Sequence, residues 1–179
     1  TTTTLAPALY TVGAAGPGGG IIFYVDMTRA AGSQYWEAAC AGWQNGCDGT
    51  TADPTSGWGC YSSVPDVLGA EGTAIGTGQQ NTDDILNLVT GCSDTGIAAE
   101  LADAYSNSGQ SDWFLPSKDE LNLMYNERTA IGGFSTYPYW SSSESSAYTP
   151  YALYKFFPSG SQDAAPKYTG LCVRPVRAF

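Results

Sequence analysis

Histidine is absent from the 179 residues. That removes the commonest general base and the commonest imidazole metal ligand. Lysine and arginine are scarce, seven against seventeen Asp and Glu, for a formal charge of −10. No basic stripe runs along the chain, so a nucleic-acid partner is not expected, and a polyanionic ligand would need a local basic patch. No stretch of eighteen apolar residues occurs, so no segment is written to span a membrane as a helix. No Cys-x-x-Cys pair is present, which argues against a zinc ribbon. Neither cofactor nor metal is expected, and no His or reactive-Cys constellation supports an enzyme.

What remains is rich in turns and rings. There are 22 glycines, 12 tyrosines and 5 tryptophans, with aromatics at 13%. Glycine at that level, with charged residues at only 13%, predicts many loops and short helices. Tyr and Trp beyond the needs of a core suit a binding surface, because they offer contact area at low entropy cost. Residues 1–7, opening on four threonines, read as a linker remnant from which a targeting segment has been trimmed, and residues 8–179 as a single domain. Among the five cysteines, Cys40 and Cys47 are spaced to close a small loop, and Cys60 with Cys92 to tie the central region. Such ties imply an oxidising compartment, the alternative being free buried thiols; Cys172 is left over.

Gly16-Pro17-Gly18-Gly19-Gly20 runs into Ile21-Ile22-Phe23-Tyr24-Val25, a turn entering a buried strand. A phosphate loop is the sharper alternative, but no Gly-Lys-Ser/Thr follows and the glycines enter a strand instead of leaving one. Tyr35-Trp36-Glu37-Ala38-Ala39 reads as a second strand. Asp48 and Asp53 fall in a glycine-rich loop without calcium-loop spacing, and read as solvated carboxylates. Asn81 or Thr82 is a candidate N-cap ahead of Asp83-Asp84-Ile85-Leu86, and residues 97–105 repeat as a short amphipathic helix. Asp112-Trp113-Phe114-Leu115-Pro116 predicts a short strand. Ser117-Lys118-Asp119-Glu120 then forms a capping box, opening a helix over residues 118–129. Capping and the helix dipole account for Glu120 and Asp119 better than acid–base chemistry does. Residues 139–143 and 171–176 read as closing strands, with Arg174 and Arg177 paired to carboxylates such as Glu144 or Glu120.

The glycine run with its strand, the 112–125 stretch, Tyr139-Trp140-Ser141-Ser142-Ser143-Glu144 and Val173-Arg174-Pro175-Val176-Arg177-Ala178-Phe179 occur in one order. Together they resemble the family that includes the C-terminal domain of the Legionella collagen-like adhesin. The resemblance implies an α+β, C-type-lectin-like fold of the formylglycine-generating-enzyme type: a small twisted antiparallel sheet, two main helices and extensive loops. It also implies an extracellular, bacterial cell-surface protein, secreted or a lipoprotein, touching a membrane only through a lipid anchor outside this chain. The Glu-Pro-Asn, Gln-Pro-Asp and Trp-Asn-Asp motifs of calcium-dependent lectins are absent, as is a paired-cysteine oxidase site.

Residues 145–172 resemble the variable segment of proteins diversified by retroelements. There, adenine-directed mutagenesis of Asn-type codons reaches Tyr, Phe, Ser, Thr, Pro, Ala, Asp, Gly, Leu and Cys, but not Lys, Gln, Glu, Met or Trp. Tyr148-Thr149-Pro150-Tyr151, Asp163-Ala164-Ala165-Pro166 and Tyr168-Thr169-Gly170-Leu171-Cys172 use only reachable types, with Lys155, Gln162 and Lys167 as would-be fixed positions. The resemblance implies a binding face of Ser146, Tyr148, Thr149, Pro150, Tyr151, Tyr154, Phe156, Pro158, Ser159, Ser161, Asp163, Ala164, Tyr168, Thr169 and Leu171, with Ala152, Leu153 and Phe157 turned inward. The expected ligand is a protein or glycan on another cell or a phage. The alternative is a fixed adhesin for a glycosaminoglycan-like polysaccharide.

Overall fold

A computed structural model describes residues 10–61, 66–87 and 91–179; the linker expected at 1–7 lies outside these. The chain is mixed α and β. Strands β1 (Ile21–Val25), β2 (Tyr35–Ala38) and β8 (Val176–Ala178) form a three-stranded antiparallel sheet in the order β1-β2-β8. A second sheet has the order β3-β7-β4-β5-β6, from β3 (Thr55–Ser56), β7 (Leu171–Cys172), β4 (Tyr139–Glu144), β5 (Tyr151–Phe156) and β6 (Ser161–Pro166). Its one parallel pairing is β4 with β7. The helices are α1 (Gly78–Leu86), α2 (Ala98–Asp103), α3 (Lys118–Asn126) and α4 (Arg128–Ile131). The expectation of one sheet and two main helices is thus too simple.

The glycine run turns into β1 around an anion, but the anion is internal. The Gly18 and Gly20 amides donate to the Glu37 carboxylate at 2.8 and 3.3 Å. A Cβ at Gly16 or Gly18 would strike that carboxylate, so the turn admits no side chain there. Glu37 is buried and paired with Arg177 at 2.7 Å. Arg177 also forks onto both oxygens of Asp112 at 2.7 and 2.8 Å, tying the 110–112 loop to β8. Arg174 donates to Asp53 at 2.8 Å and to the carbonyls of Ala39 and Gly133. Tyr139 donates to the same Asp53 oxygen at 2.7 Å. The two arginines therefore do not pair with Glu144 or Glu120, and Asp53 is a buried ion-pair partner instead of a solvated loop acid.

Three local expectations need correcting. Helix α1 begins at Gly78, a position where a side chain would meet Glu120, Phe114 and the Ser117 amide. Asn81 and Thr82 are consequently buried inside the helix instead of capping it. Asn81 reaches the Gly72 carbonyl and Ser142, and Thr82 accepts from the Leu115 amide at 3.1 Å. The 112–116 stretch is not a strand; only Phe114 bridges to Val176. The helix expected over 118–129 breaks at Glu127, whose ψ of 16° is no longer helical, and resumes as α4. Its capping box is present: Ser117 Oγ accepts from the Glu120 amide at 3.3 Å, and Glu120 accepts from the Ser117 amide at 2.7 Å. Glu120 is fully buried and also accepts from Trp36 and Gly76, so it fastens α3 to β2.

Two apolar clusters make the core. One gathers Trp58, Trp113, Leu115 and Trp140; the other gathers Phe23, Trp36, Met124, Tyr139 and Phe157. Disulfides join Cys40 to Cys47 and Cys60 to Cys92, and Cys172 is a buried free thiol. No described helix is long and apolar enough to cross a membrane.

Candidate functional site

Strands β5 and β6 form a hairpin in continuous register, from Tyr151 opposite Pro166 to Phe156 opposite Ser161. The Phe157–Gly160 turn closes it, with Gly160 at φ 78° and its amide donating to the Phe156 carbonyl at 2.8 Å. β6 is the outer strand of its sheet, and Pro166, which lacks an amide hydrogen, sits at its end where a lost donor costs least.

Three side chains of the hairpin and its exit turn inward to the scaffold. Lys155 is buried and donates to Asn122 of α3 at 2.7 Å, with its ammonium 4.5 Å from the Tyr125 ring centre. Gln162 donates to the Lys118 carbonyl at 3.0 Å. Lys167 is completely buried, bonded to Glu144 at the end of β4, and lies over the Trp58 ring at 4.5 Å. Burial pushes the Glu144 carboxyl up and the Lys167 ammonium down, while each partner resists the other's neutralisation. The Val67 amide donates to the second Glu144 oxygen at 2.9 Å.

Between these anchors the chain faces out. Ser146, Tyr148, Pro158, Ser159, Ser161, Asp163 and Tyr168 are exposed. Thr149, Pro150, Tyr151, Tyr154, Phe156, Ala164 and Thr169 are half-buried. Ala152 and Phe157 are buried as expected, whereas Leu153 is only partly so. Leu171 must be struck from the face. It is 6% exposed, pairs with Ser56 in β7 and packs in the tryptophan-rich core. A two-residue strand gives no alternation to read, so the sequence could not orient it.

The face divides in two. At the open end of the hairpin Tyr148, Pro150, Tyr151 and Tyr168 line a cleft of about 300 Å³ together with Tyr61 and Pro166. Tyr148 and Tyr168 are 59% and 64% exposed. The rings pair as Tyr148 with Tyr151 at 4.8 Å, tilted, and Tyr61 with Tyr168 at 4.6 Å, edge to face. At the closed end Ser159 and Ser161 share a hydrogen bond, and Pro158 borders a separate hollow with Arg128, Phe134 and Thr136. Tyr154 leans on the core. Tyr61 lies outside the segment read from the sequence, and Pro166, inside it, is not among the expected face residues. The signal for Tyr61 was its place beside Cys60, held by the disulfide to Cys92.

The remaining cations lie elsewhere. All seven are described; Lys155, Lys167, Arg174 and Arg177 are buried, leaving Arg29, Lys118 and Arg128 at least partly accessible. Arg29 and Lys118 each pair with an aspartate.

The sequence matches no protein-family model and no curated protein. Function must therefore be argued from the site alone.

Proposed function

We propose that this chain is a non-enzymatic, extracellular ligand-binding domain with a C-type-lectin-like fold, and that residues 145–170 form its replaceable binding face. The observation that carries the reading is the fit between residue chemistry and direction in the segment. The three residues of the segment whose types adenine-directed mutagenesis cannot create, Lys155, Gln162 and Lys167, are bonded to the scaffold. Exposed Tyr148, Ser159, Ser161, Asp163 and Tyr168 are all reachable types. Two disulfides suit an oxidising location. A mixed α and β body with long connecting loops suits the coarser part of the resemblance to the adhesin-domain family.

A polyanionic polysaccharide is the weaker reading. Four of the chain's seven cations are buried, and none lines the tyrosine cleft. Sulfated chains need several accessible cations close together.

The test is a set of replacements on each side of this division. Tyr148→Ser, Asp163→Tyr and Tyr168→Asp should each change stability by less than about 0.5 kcal/mol. Denaturant melts read the effect, and loss of cooperative folding in two of the three would sink the reading. Sequencing the gene's surroundings for an Asn-rich near-copy of this segment tests the diversification directly.

A further inference from the structure

We propose that the tyrosine cleft seats the cationic side chain of a protein ligand, arginine above all. This rests on the binding-face reading and adds the ligand's chemistry to it. Three observations converge.

First, the chain treats ring faces as cation seats. Arg29 lies over Trp36, Arg128 and Lys155 over Tyr125, Lys167 over Trp58, Arg174 over Phe134 and Arg177 over Phe179, all within 5.0 Å of the ring centre. Among the described residues no cation is seated over Tyr61, Tyr148, Tyr151 or Tyr168, although these four rings are gathered in one cleft. A planar guanidinium stacks on such rings and is more weakly hydrated than an ammonium.

Second, exposed acids flank the buried Glu144–Lys167 pair at the neck of the segment that carries the cleft. Asp66 and Glu71 are exposed, and their carboxylate oxygens lie within 4.8 Å of each other and of Glu144. Both act electrostatically on Lys167, which sits in the chain between the cleft residues Pro166 and Tyr168. Glu144 and Lys167 cancel as a pair, so Asp66 and Glu71 leave this group of four side chains net negative.

Third, the space is small. A cleft of about 300 Å³ at the lower end of small-ligand pockets fits one side chain, not an extended sugar.

The experiment titrates the intact chain by amide chemical shifts with Nα-acetyl-arginine methylamide. Controls are the citrulline counterpart, which is the neutral near-isostere, and a sulfated disaccharide. The arginine probe should perturb residues 148–151 and 168 and bind roughly two- to fivefold tighter than the citrulline probe. Added salt should reduce the difference. The double substitution Asp66→Asn, Glu71→Gln should reduce the preference without removing it, and Tyr148→Ala with Tyr168→Ala should weaken both probes.

Equal binding of the two probes in the cleft overturns the cationic ligand and leaves the binding face standing. Shifts confined to surfaces outside residues 146–169 overturn both. Perturbation of the cleft by the sulfated disaccharide alone reverses the inference in favour of a polyanion, and no shift with any probe also overturns it.

Discussion

The three-stranded sheet and the β5–β6 hairpin use polar side chains in opposite ways. In the sheet, charge is turned inward. Glu37 holds the glycine turn, Arg177 holds Glu37 and Asp112, and nearby Arg174 holds Asp53 and three backbone carbonyls. In the hairpin most polar groups face solvent, and only Lys155 and Gln162, with Lys167 just beyond, reach into the body. A chain short of cations has placed four of its seven where water cannot reach them. Burying an ion is costly unless it is paired and fully bonded, so these sites define geometry more than they add stability. What the difference teaches is that identity is strict at the anchors and permissive between them.

The sharpest way to break that comparison is at the neck of the segment. Lys167→Ala leaves Glu144 buried without its ammonium and should cost about 3–5 kcal/mol, read by urea melts. Lys167→Met combined with Glu144→Gln removes both charges and should recover part of the loss. A Lys167→Ala effect as small as that of the face substitutions would dissolve the distinction between anchor and face. Next in size is the central tie. Replacing Cys60 and Cys92 by serine should lower stability by about 2–4 kcal/mol and loosen Tyr61, which follows the bridge. Amide exchange should quicken around residue 61 and stay unchanged in β1.

The smallest effect tests the exposed rim of the inward network. Arg177 bonds Asp112 and holds its carboxyl below the ordinary value of 3.8. A depressed acid contributes stability that is full above its unfolded pKa and is lost as pH falls through the lower folded value. Asp112→Asn should therefore cost less than about 1 kcal/mol at pH 7, since Asp112 is half open to solvent. The gap to the unmodified chain should close in thermal melts below pH 3.8. A gap that persists at low pH would assign the effect to packing.

Local chemistry was legible in the sequence and distant pairing was not. The Ser117–Glu120 capping box could be read because its partners lie three residues apart. The partners of Arg174 and Arg177 lie 121 and 140 residues away, and nothing local selects Asp53 or Glu37 over other acids. Asn81 and Thr82 have the chemistry of caps, but their side chains are buried on the distant Gly72, Ser142 and Leu115, which no local pattern announces. Residue types singled out Lys155, Gln162 and Lys167, but only the coordinates give each one its partner. Tyr61 was missed because it joins the cleft from outside the segment.

Glu144 and Lys167 stand at the two ends of the hairpin segment and close it like a drawstring. A peptide grafted at Ser159, on the far turn, would then pull against that knot and not against the helices. Such a graft offers a handle for displaying foreign epitopes while the cleft near the knot keeps its shape.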